Sequence, residues 1–272
     1  MSAELRIAAP GPELAGIVLR YTGFAERAAG PVRFRELPCT YVPVILDLAD
    51  GWHVAHADRR GDRLGSFVAG LTDRAVMVRH DGWARCLQVD LTPLGARRLL
   101  GLPMSELAHR SVALEDVLGL AAPELVERLA EAPDWPARFA LVDRALARRL
   151  AGAGPADPGV AWALGRLAGS GGGAAIGGIA GELGWSHRRL IVRFRDAVGL
   201  PPKLVARILR FERLLAVVRA EPGLGWARAA GACGYFDQAH LAREVRELAG
   251  LTPTQLHRER VNSVQDPGAP AP

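Results

Sequence analysis

The stretch from residue 176 to residue 260 contains one pattern twice. Residues 184–195 read Gly-Trp-Ser-His-Arg-Arg-Leu-Ile-Val-Arg-Phe-Arg, and Gly-Leu-Pro-Pro follows at 199–202. Residues 234–246 read Gly-Tyr-Phe-Asp-Gln-Ala-His-Leu-Ala-Arg-Glu-Val-Arg, and Gly-Leu-Thr-Pro follows at 250–253. From Leu190 and Leu241 onward the two copies align at an offset of 51 residues. Such a repeat predicts one supersecondary unit that is used twice.

Each copy has the features of two helices joined by a tight turn. A short apolar helix comes first, because its apolar residues are spaced by three and four and so share one helical face. These residues are Ile176, Ile179, Ala180 and Leu183 in the first copy, and Trp226, Ala229, Ala230 and Cys233 in the second. A glycine then ends the helix, and Ser186 or Asp237 can cap the next one. The pattern predicts a helix-turn-helix, whose second helix can enter a DNA major groove.

Residues 174–260, about a third of the chain, resemble the DNA-binding domain of AraC/XylS-type transcription regulators. The most specific part is the second copy, residues 234–245, followed by Gly-Leu-Thr-Pro. The sequence departs from the family at Ala239, Leu241 and Val245, where the family tends to have serine, an aromatic residue and phenylalanine. The resemblance implies two helix-turn-helix units joined by a long central helix. It also implies that a cupin-like barrel often precedes them.

The second helix of each unit supplies the candidate DNA-binding residues. Arg188 is placed to reach a base edge, since arginine can bind guanine through two hydrogen bonds. Arg189, Arg193 and Arg195 are expected to meet phosphates or, for Arg195, an acidic partner. By position in the resembled family, Ile191 and Val192 also face the groove. The complete set predicted to contact DNA is Ser186, His187, Arg188, Arg189, Ile191, Val192, Arg193, Gln238, Ala239, His240, Arg243 and Arg246.

The charge of the chain is uneven. Its 272 residues carry a net charge of +5, with 34 basic and 29 acidic side chains. Basic residues exceed acidic ones by six from residue 160 onward, whereas the first 159 residues have one acidic residue in excess. A basic surface is what phosphate binding requires. The location of the excess therefore supports DNA binding by the repeat.

Short apolar runs between turn residues fill the first half of the chain. Candidate strands lie at 17–24, 32–37, 42–48, 52–56, 65–69, 75–79 and 84–91, with Asp-Gly at 50–51 and 81–82 as hairpin signals. This spacing predicts a small barrel or sandwich. Helices are predicted at 94–100, 123–130, 136–150 and 160–168. A central helix is predicted at 202–220, where apolar residues alternate at spacings of four and three.

The predicted fold class is therefore α+β with two domains. A β-rich domain, cupin-like barrel or sandwich with helices, covers residues 1–151, and an all-α domain of two helix-turn-helix units covers 174–260. Residues 152–173, rich in glycine and proline, form a linker region with one short helix. Residues 261–272 are predicted to be a disordered tail.

No catalytic, cofactor-binding or metal-binding constellation is found in the sequence. His53 and His56 lie three apart in a predicted strand and so point to opposite faces. Cys39 is interpreted as a buried, unreactive cysteine. The beginning of the chain is a poor signal peptide and no stretch has the roughly 18 apolar residues of a membrane span, so a cytoplasmic protein is expected.

We expect a sequence-specific transcription regulator and no enzyme. The partners that this interpretation admits are double-stranded DNA, RNA polymerase, a small-molecule effector and a second copy of the chain. Two alternatives stay open for the N-terminal half: a catalytic barrel that the C-terminal domain targets to DNA, or a domain for protein interaction alone. An apolar pocket there would favour a sensor, and converging titratable groups would favour an enzyme.

Overall fold

The computed structural model describes residues 2–57 and 61–258. Antiparallel strands dominate the N-terminal half. Their bounds are β1 Ser2–Ala8, β2 Val18–Arg27, β3 Val32–Glu36, β4 Val42–Asp47, β5 Trp52–Ala55, β6 Asp62–Leu64, β7 Phe67–Ala69, β8 Val76–His80, β9 Trp83–Leu91 and β10 Ser111–Ala113. One sheet has the order β1-β2-β9-β4-β7-β10 and the other the order β3-β8-β5-β6.

The two sheets face each other across an aromatic cluster. Phe24 on β2 lies 6.2 Å from Phe34 on β3 and 6.5 Å from Trp52 on β5, measured between ring centroids. The sheets do not close into a barrel: among the described residues, each keeps two edge strands. The barrel alternative was therefore wrong in its closed form, and the β-rich domain is built from two sheets. Strands this short, with two separate sets of pairings, bury their apolar faces by packing sheet on sheet.

Helices cover the other face of the larger sheet. They are α1 Pro93–Leu100, α2 Leu114–Leu118, α3 Ala121–Glu131 and α4 Trp135–Ala151. Phe139 on α4 stacks on Tyr21 of β2 with ring centroids 6.0 Å apart. The Tyr21 hydroxyl donates to Asp143 Oδ1 at 2.9 Å, which fixes α4 against the sheet. The predicted helices at 94–100, 123–130 and 136–150 are confirmed, with ends shifted by one or two residues.

The C-terminal half is helical. Its elements are α5 Pro158–Gly169, α6 Ile176–Glu182, α7 His187–Val198, α8 Pro202–Ala220, α9 Trp226–Ala232, α10 Gln238–Ala249 and α11 Pro253–Arg258. The predicted central helix at 202–220 is α8, and its buried residues include Ile208, Phe211 and Leu214. The two-domain fold class is confirmed. The tail predicted at 261–272 lies outside the described residues.

The two halves share one continuous hydrophobic core. α7 packs on a 3-10 turn at Met104–Glu106 and on α1, both in the N-terminal half. Arg35 Nη1 donates to the carbonyl oxygen of Ala249, at the end of α10, at 3.2 Å. α5, within the predicted linker region, buries Val160, Ala163 and Leu167 and packs on α7 and α8. The domain boundaries themselves stay predictions. No helix among residues 2–57 and 61–258 combines the length and apolar character of a membrane span.

Candidate nucleic-acid interface and pocket

The first unit is built as its sequence predicts. Two residues after α6 comes Gly184, whose φ of 61° lies in the left-handed region that glycine adopts without steric cost. Ser186 then caps α7, since its side-chain oxygen accepts from the Arg189 N–H at 3.2 Å. Leu190 and Phe194 are fully buried and anchor α7 to the core. The opposite face of α7 is left to solvent.

The second unit repeats this construction. Gly234, two residues after α9, has a φ of 78°. Asp237 caps α10 by accepting from the His240 N–H at 2.7 Å. Leu241 and Val245 are fully buried. Both second helices are therefore fixed at their first turns, and these are the turns that approach bases when such a helix enters a major groove.

Most predicted DNA-binding residues are exposed. In the first unit Ile191 is half-buried; Ser186, His187, Arg188, Arg189, Val192 and Arg193 are exposed. In the second unit His240 is partly exposed, and Gln238, Ala239, Arg243 and Arg246 are exposed. Arg188 and Val192, four residues apart, share one face of α7, and Arg189 and Arg193 share the neighbouring face.

Trp185 packs against Arg189 and Arg193. The guanidinium of Arg189 lies 4.8 Å from the centre of the Trp185 ring system, and that of Arg193 lies 5.4 Å away. Arg193 Nε also donates to Asp157 Oδ2 at 2.7 Å, and Asp157 caps α5. These contacts hold both guanidinium groups in place. Arg188 takes part in no comparable pairing within the part of the chain that the structure describes.

His240 is tied to its neighbours in the second unit. Its Nδ1 accepts from the Phe236 N–H at 3.3 Å, and its ring meets the Tyr235 ring edge-on at 5.5 Å. Its Nε2 lies 3.7 Å from Glu244 Oε2. Glu244 is buried and forms salt bridges with two arginines of α8. Its Oε2 lies 3.3 Å from Arg207 Nε and 3.3 Å from Arg210 Nη2. The network joins α10 to the central helix.

Arg246 lies apart from the other predicted readers. It is eight residues beyond Gln238, near the end of α10, and lines a cleft of about 680 Å³ between the two halves of the protein. Arg35 and Met77 of the N-terminal half line the same cleft. The structure therefore separates Arg246 from the first turn of α10 and brings together Gln238, Ala239 and His240 with Arg243 one turn later.

A basic groove flanks the first unit. Val192, Arg193 and Asp196 form one wall of an open groove of about 1000 Å³. The other wall, from α1 and α4, carries Arg97, Arg98 and Arg149. Arg97 Nε lies 3.6 Å from Asp196 Oδ2 across the groove. Arg188 itself does not line this groove.

Sequence reasoning missed Phe236, Trp185 and Asp157 as parts of the site. Phe236 is 92% exposed, more than any other large apolar side chain among the described residues. The sequence did indicate this residue, because the second copy has one residue more than the first between the turn glycine and the capping residue of the next helix. The pairing of Asp157 with Arg193, 36 residues later, had no such signal.

An apolar cavity of about 80 Å³ lies between the two sheets. Most of its lining is aliphatic or aromatic, including Ile45, Trp52 and Phe67. Polar side chains in its lining include Gln88, whose amide donates to Asp90 at 2.7 Å, and His56, whose Nε2 is 3.0 Å from Ser111 Oγ.

Cys39 and Cys86 also line the cavity. Burial raises the pKa of both thiols. Because the thiolate is the reactive form, both cysteines are expected to be unreactive at neutral pH. Cys39, predicted to be buried, is half-buried, whereas Cys86 is buried.

One loop connects this cavity to the central helix. Cys39 and Tyr41 line the cavity, and Thr40 between them faces Glu212 on α8. The Thr40 N–H donates to Glu212 Oε1 at 2.8 Å, and its hydroxyl lies 3.1 and 2.9 Å from the two carboxylate oxygens. Burial raises the pKa of Glu212, and the bonds from Thr40 partly offset this rise.

Two exposed, capped helices on one central helix define a double helix-turn-helix DNA-binding protein. A family profile described as a helix-turn-helix domain matches residues 179–259. A second profile, a domain of unknown function (DUF6597), matches residues 6–113 and so spans most of β1 to β10. Residues 179–259 therefore form a helix-turn-helix domain of the AraC type.

Solved structures of similar overall build include ToxT from Vibrio cholerae. It is 7% identical, with 95% of this chain and 98% of that chain covered and a TM-score of 0.48. ToxT with an unsaturated fatty acid is 8% identical, with 92% and 96% covered and a TM-score of 0.49. The AraC-like transcriptional activator CuxR is 16% identical, with 79% and 86% covered and a TM-score of 0.32. None of the curated proteins compared with the chain matches it.

Proposed function

We propose that this protein is a sequence-specific transcription regulator whose α7 and α10 read two neighbouring major grooves. The observation that carries the proposal is the pair of capped helices with exposed polar faces, held by one central helix. Reading helices that enter successive grooves on one face of a duplex lie about 34 Å apart. The bound site should then contain two short boxes about ten base pairs apart, centre to centre.

A binding selection on randomised duplex DNA, followed by footprinting of the selected sites, tests this proposal. We expect two boxes under a single DNA-binding domain. Affinity should also fall steeply with salt, with a slope of roughly −0.9 per phosphate neutralised. Binding that shows no sequence preference and no salt dependence would overturn the proposal.

The second part of the proposal concerns the N-terminal half, which we infer to be a sensor for a small apolar molecule. A water needs roughly 10–15 Å³ of such space, so a cavity of about 80 Å³ has room for a small organic compound. The mostly apolar lining favours a ligand with an apolar body, and the polar residues in the lining favour one or two polar groups on that ligand. This lining favours a sensor over the catalytic alternative.

We further propose that the loop through Thr40 carries the signal from the cavity to the DNA-binding domain. An occupant that displaces Cys39 or Tyr41 must move Thr40, which lies between them. Thr40 binds Glu212 in the middle of α8, and α8 holds both units. An occupant of the cavity can therefore alter how the N-terminal half restrains the central helix, provided that it changes the contact between Thr40 and Glu212.

A double-mutant cycle tests this coupling without knowledge of the effector. Ala69→Leu adds volume at the cavity wall, and Thr40→Val removes the hydroxyl that binds Glu212. We expect Ala69→Leu to change DNA affinity in the wild-type background and to change it less beside Thr40→Val. Thr72→Val, at the cavity but away from α8, serves as the matched control. Equal effects of Ala69→Leu in all backgrounds would contradict the coupling.

Two protein partners complete the proposal. RNA polymerase is the partner expected at a promoter, and a second copy of the chain is the partner expected for the N-terminal half. Self-association is supported by β1, which is one of the two edge strands of the larger sheet. The apolar side chains of Ile7 on β1 and Leu19 on the neighbouring β2 are exposed there. Light scattering over a concentration series, repeated with Leu19→Ser, tests self-association.

A further inference from the structure

The turn of the second unit is one residue longer than that of the first. The Trp185 N–H donates to the Ala180 carbonyl at 2.9 Å, and the Tyr235 N–H donates to the Ala230 carbonyl at 3.0 Å. Trp185 and Tyr235 are therefore equivalent. In the first unit the capping Ser186 follows at once, whereas Phe236 precedes the capping Asp237 in the second. Phe236 is the added residue.

Phe236 has no role in holding the unit together. An apolar residue directly before a helix cap often packs against the fourth residue of that helix, which here is Leu241. Leu241 is fully buried and Phe236 is 92% exposed, so this packing is absent. The aromatic ring lies in water, where a large apolar side chain is unfavourable. Its surface is available to a partner.

The position of Phe236 identifies that partner. Its backbone N–H is bonded to His240, which lies on the first turn of α10. Gln238 and Ala239 of the same turn are exposed. This is the end of a reading helix that approaches base edges in the major groove. A side chain just before this turn comes close to the same edges.

We propose that Phe236 packs on the C5-methyl group of a thymine in the DNA box read by the second unit. The thymine methyl is the apolar group that base pairs present in the major groove, and phenylalanine is one of the side chains that contact it. Phosphates offer no comparable surface to an aromatic ring. The inference rests on the proposed function and adds one residue that determines sequence choice.

Uracil in place of thymine tests this contact directly, because it removes the methyl group and keeps the base pair. The full-length protein is titrated with its selected site, and each thymine of the second box is replaced by uracil in turn. At one position we expect wild-type affinity to fall about fourfold, the factor that corresponds to burial of one methyl-sized group. Phe236→Ala should bind the thymine site more weakly and lose nothing further with uracil.

Two variants serve as controls. Phe236→Leu keeps an apolar contact and should retain part of the preference for thymine over uracil. Leu120→Ala removes another strongly exposed apolar side chain, in the N-terminal half, and should leave DNA binding unchanged. Because Phe236 is exposed, its variants should unfold at the wild-type temperature.

Three outcomes would overturn the inference. The wild-type protein could be indifferent to uracil at every position, or Phe236→Ala could respond to uracil as the wild type does. Phe236→Ala could also bind DNA normally and fail only in transcription with RNA polymerase, in which case the ring contacts a protein. Absence of any specific DNA binding would instead contradict the proposed function itself.

Discussion

The two helix-turn-helix units share a construction and differ in how their outer faces are held. In the first unit, Trp185 and Asp157 orient Arg189 and Arg193, and α5 packs against α7. In the second, Glu244 ties the helix to α8, and Phe236 stands free in solvent. Fixed arginines suit phosphates, whose positions do not depend on sequence. Under the proposed function, we expect the first unit to supply more of the phosphate contacts and the second to add an apolar base contact through Phe236.

Removal of α5 should lower the stability of the C-terminal half more than any substitution below, because α5 packs on α7 and α8. A fragment of residues 155–272 contains α5, and one of residues 174–272 does not. Val160 and Leu167 are fully buried, and each such side chain contributes roughly 1.5–3 kcal/mol. We expect the shorter fragment to be less stable by about 3–6 kcal/mol in urea unfolding followed by circular dichroism. Equal stability would show that the first unit stands without α5.

Glu244→Ala should have the next largest effect, and it should fall on the second unit. This change leaves Arg207 and Arg210 without their buried partner. Breaking a buried ion pair lowers the free energy of unfolding by about 3–5 kcal/mol. The matched control is Glu247→Ala, since Glu247 also pairs with Arg207 but has a side chain that is 53% exposed. That change should cost only about 0–1 kcal/mol. Similar losses for both variants in chemical unfolding would contradict a special role for Glu244.

Substitution of single arginines tests whether the two units read separate DNA boxes. Arg188→Ala should relax preference in one box, and Arg243→Ala in the other, each by about 1–3 kcal/mol if the contact to guanine is bidentate. Arg189→Ala should weaken all sequences about equally, because phosphates carry no sequence information. Selections on randomised DNA with each variant provide the measurement. If Arg188→Ala and Arg243→Ala alter the same base pairs, the two units do not read separate boxes.

Asp157→Asn should have the smallest effect. Asparagine keeps the cap of α5 but removes the charge that pairs with the half-exposed Arg193. Stability should fall by about 0.2–1 kcal/mol, and affinity for all DNA sequences should rise slightly, because Arg193 is released toward phosphates. Asp116→Asn, an exposed acid in α2, is the control. A change in sequence preference would mean that Arg193 reads bases.

Local signals explain which elements the sequence predicted well. α8 was predicted with its observed bounds because Pro202 opens it and one apolar stripe runs along it. The caps Ser186 and Asp237 were predicted because each is a short side chain with an oxygen that follows a turn glycine, and both caps are present. By contrast, β6 and β10 have three residues each, too few for an alternating pattern, and were missed together with β1 and α2.

Long-range contacts explain what could not be predicted at the site. The exposure of Arg188, Gln238 and Arg243 follows from helical periodicity, so their placement on outer faces was accessible from sequence. The pairing of Arg193 with Asp157 and the cleft that Arg246 lines depend on segments far apart in the chain. Whether the strands close into a barrel likewise depends on pairings between distant residues, and no single strand encodes it.

The packing of Gly199 against the N-terminal half has a consequence for recombination between related regulators. Gly199 has a φ of 103°, and a Cβ built on it would lie 3.1 Å from the carbonyl oxygen of Met104. The turn after α7 and the 3-10 turn at Met104–Glu106 therefore fit as a matched pair. A chimera that joins this DNA-binding domain to a foreign sensor would meet a surface shaped for another partner. Such hybrids should work best when the segment around Met104 is transferred together with the C-terminal half.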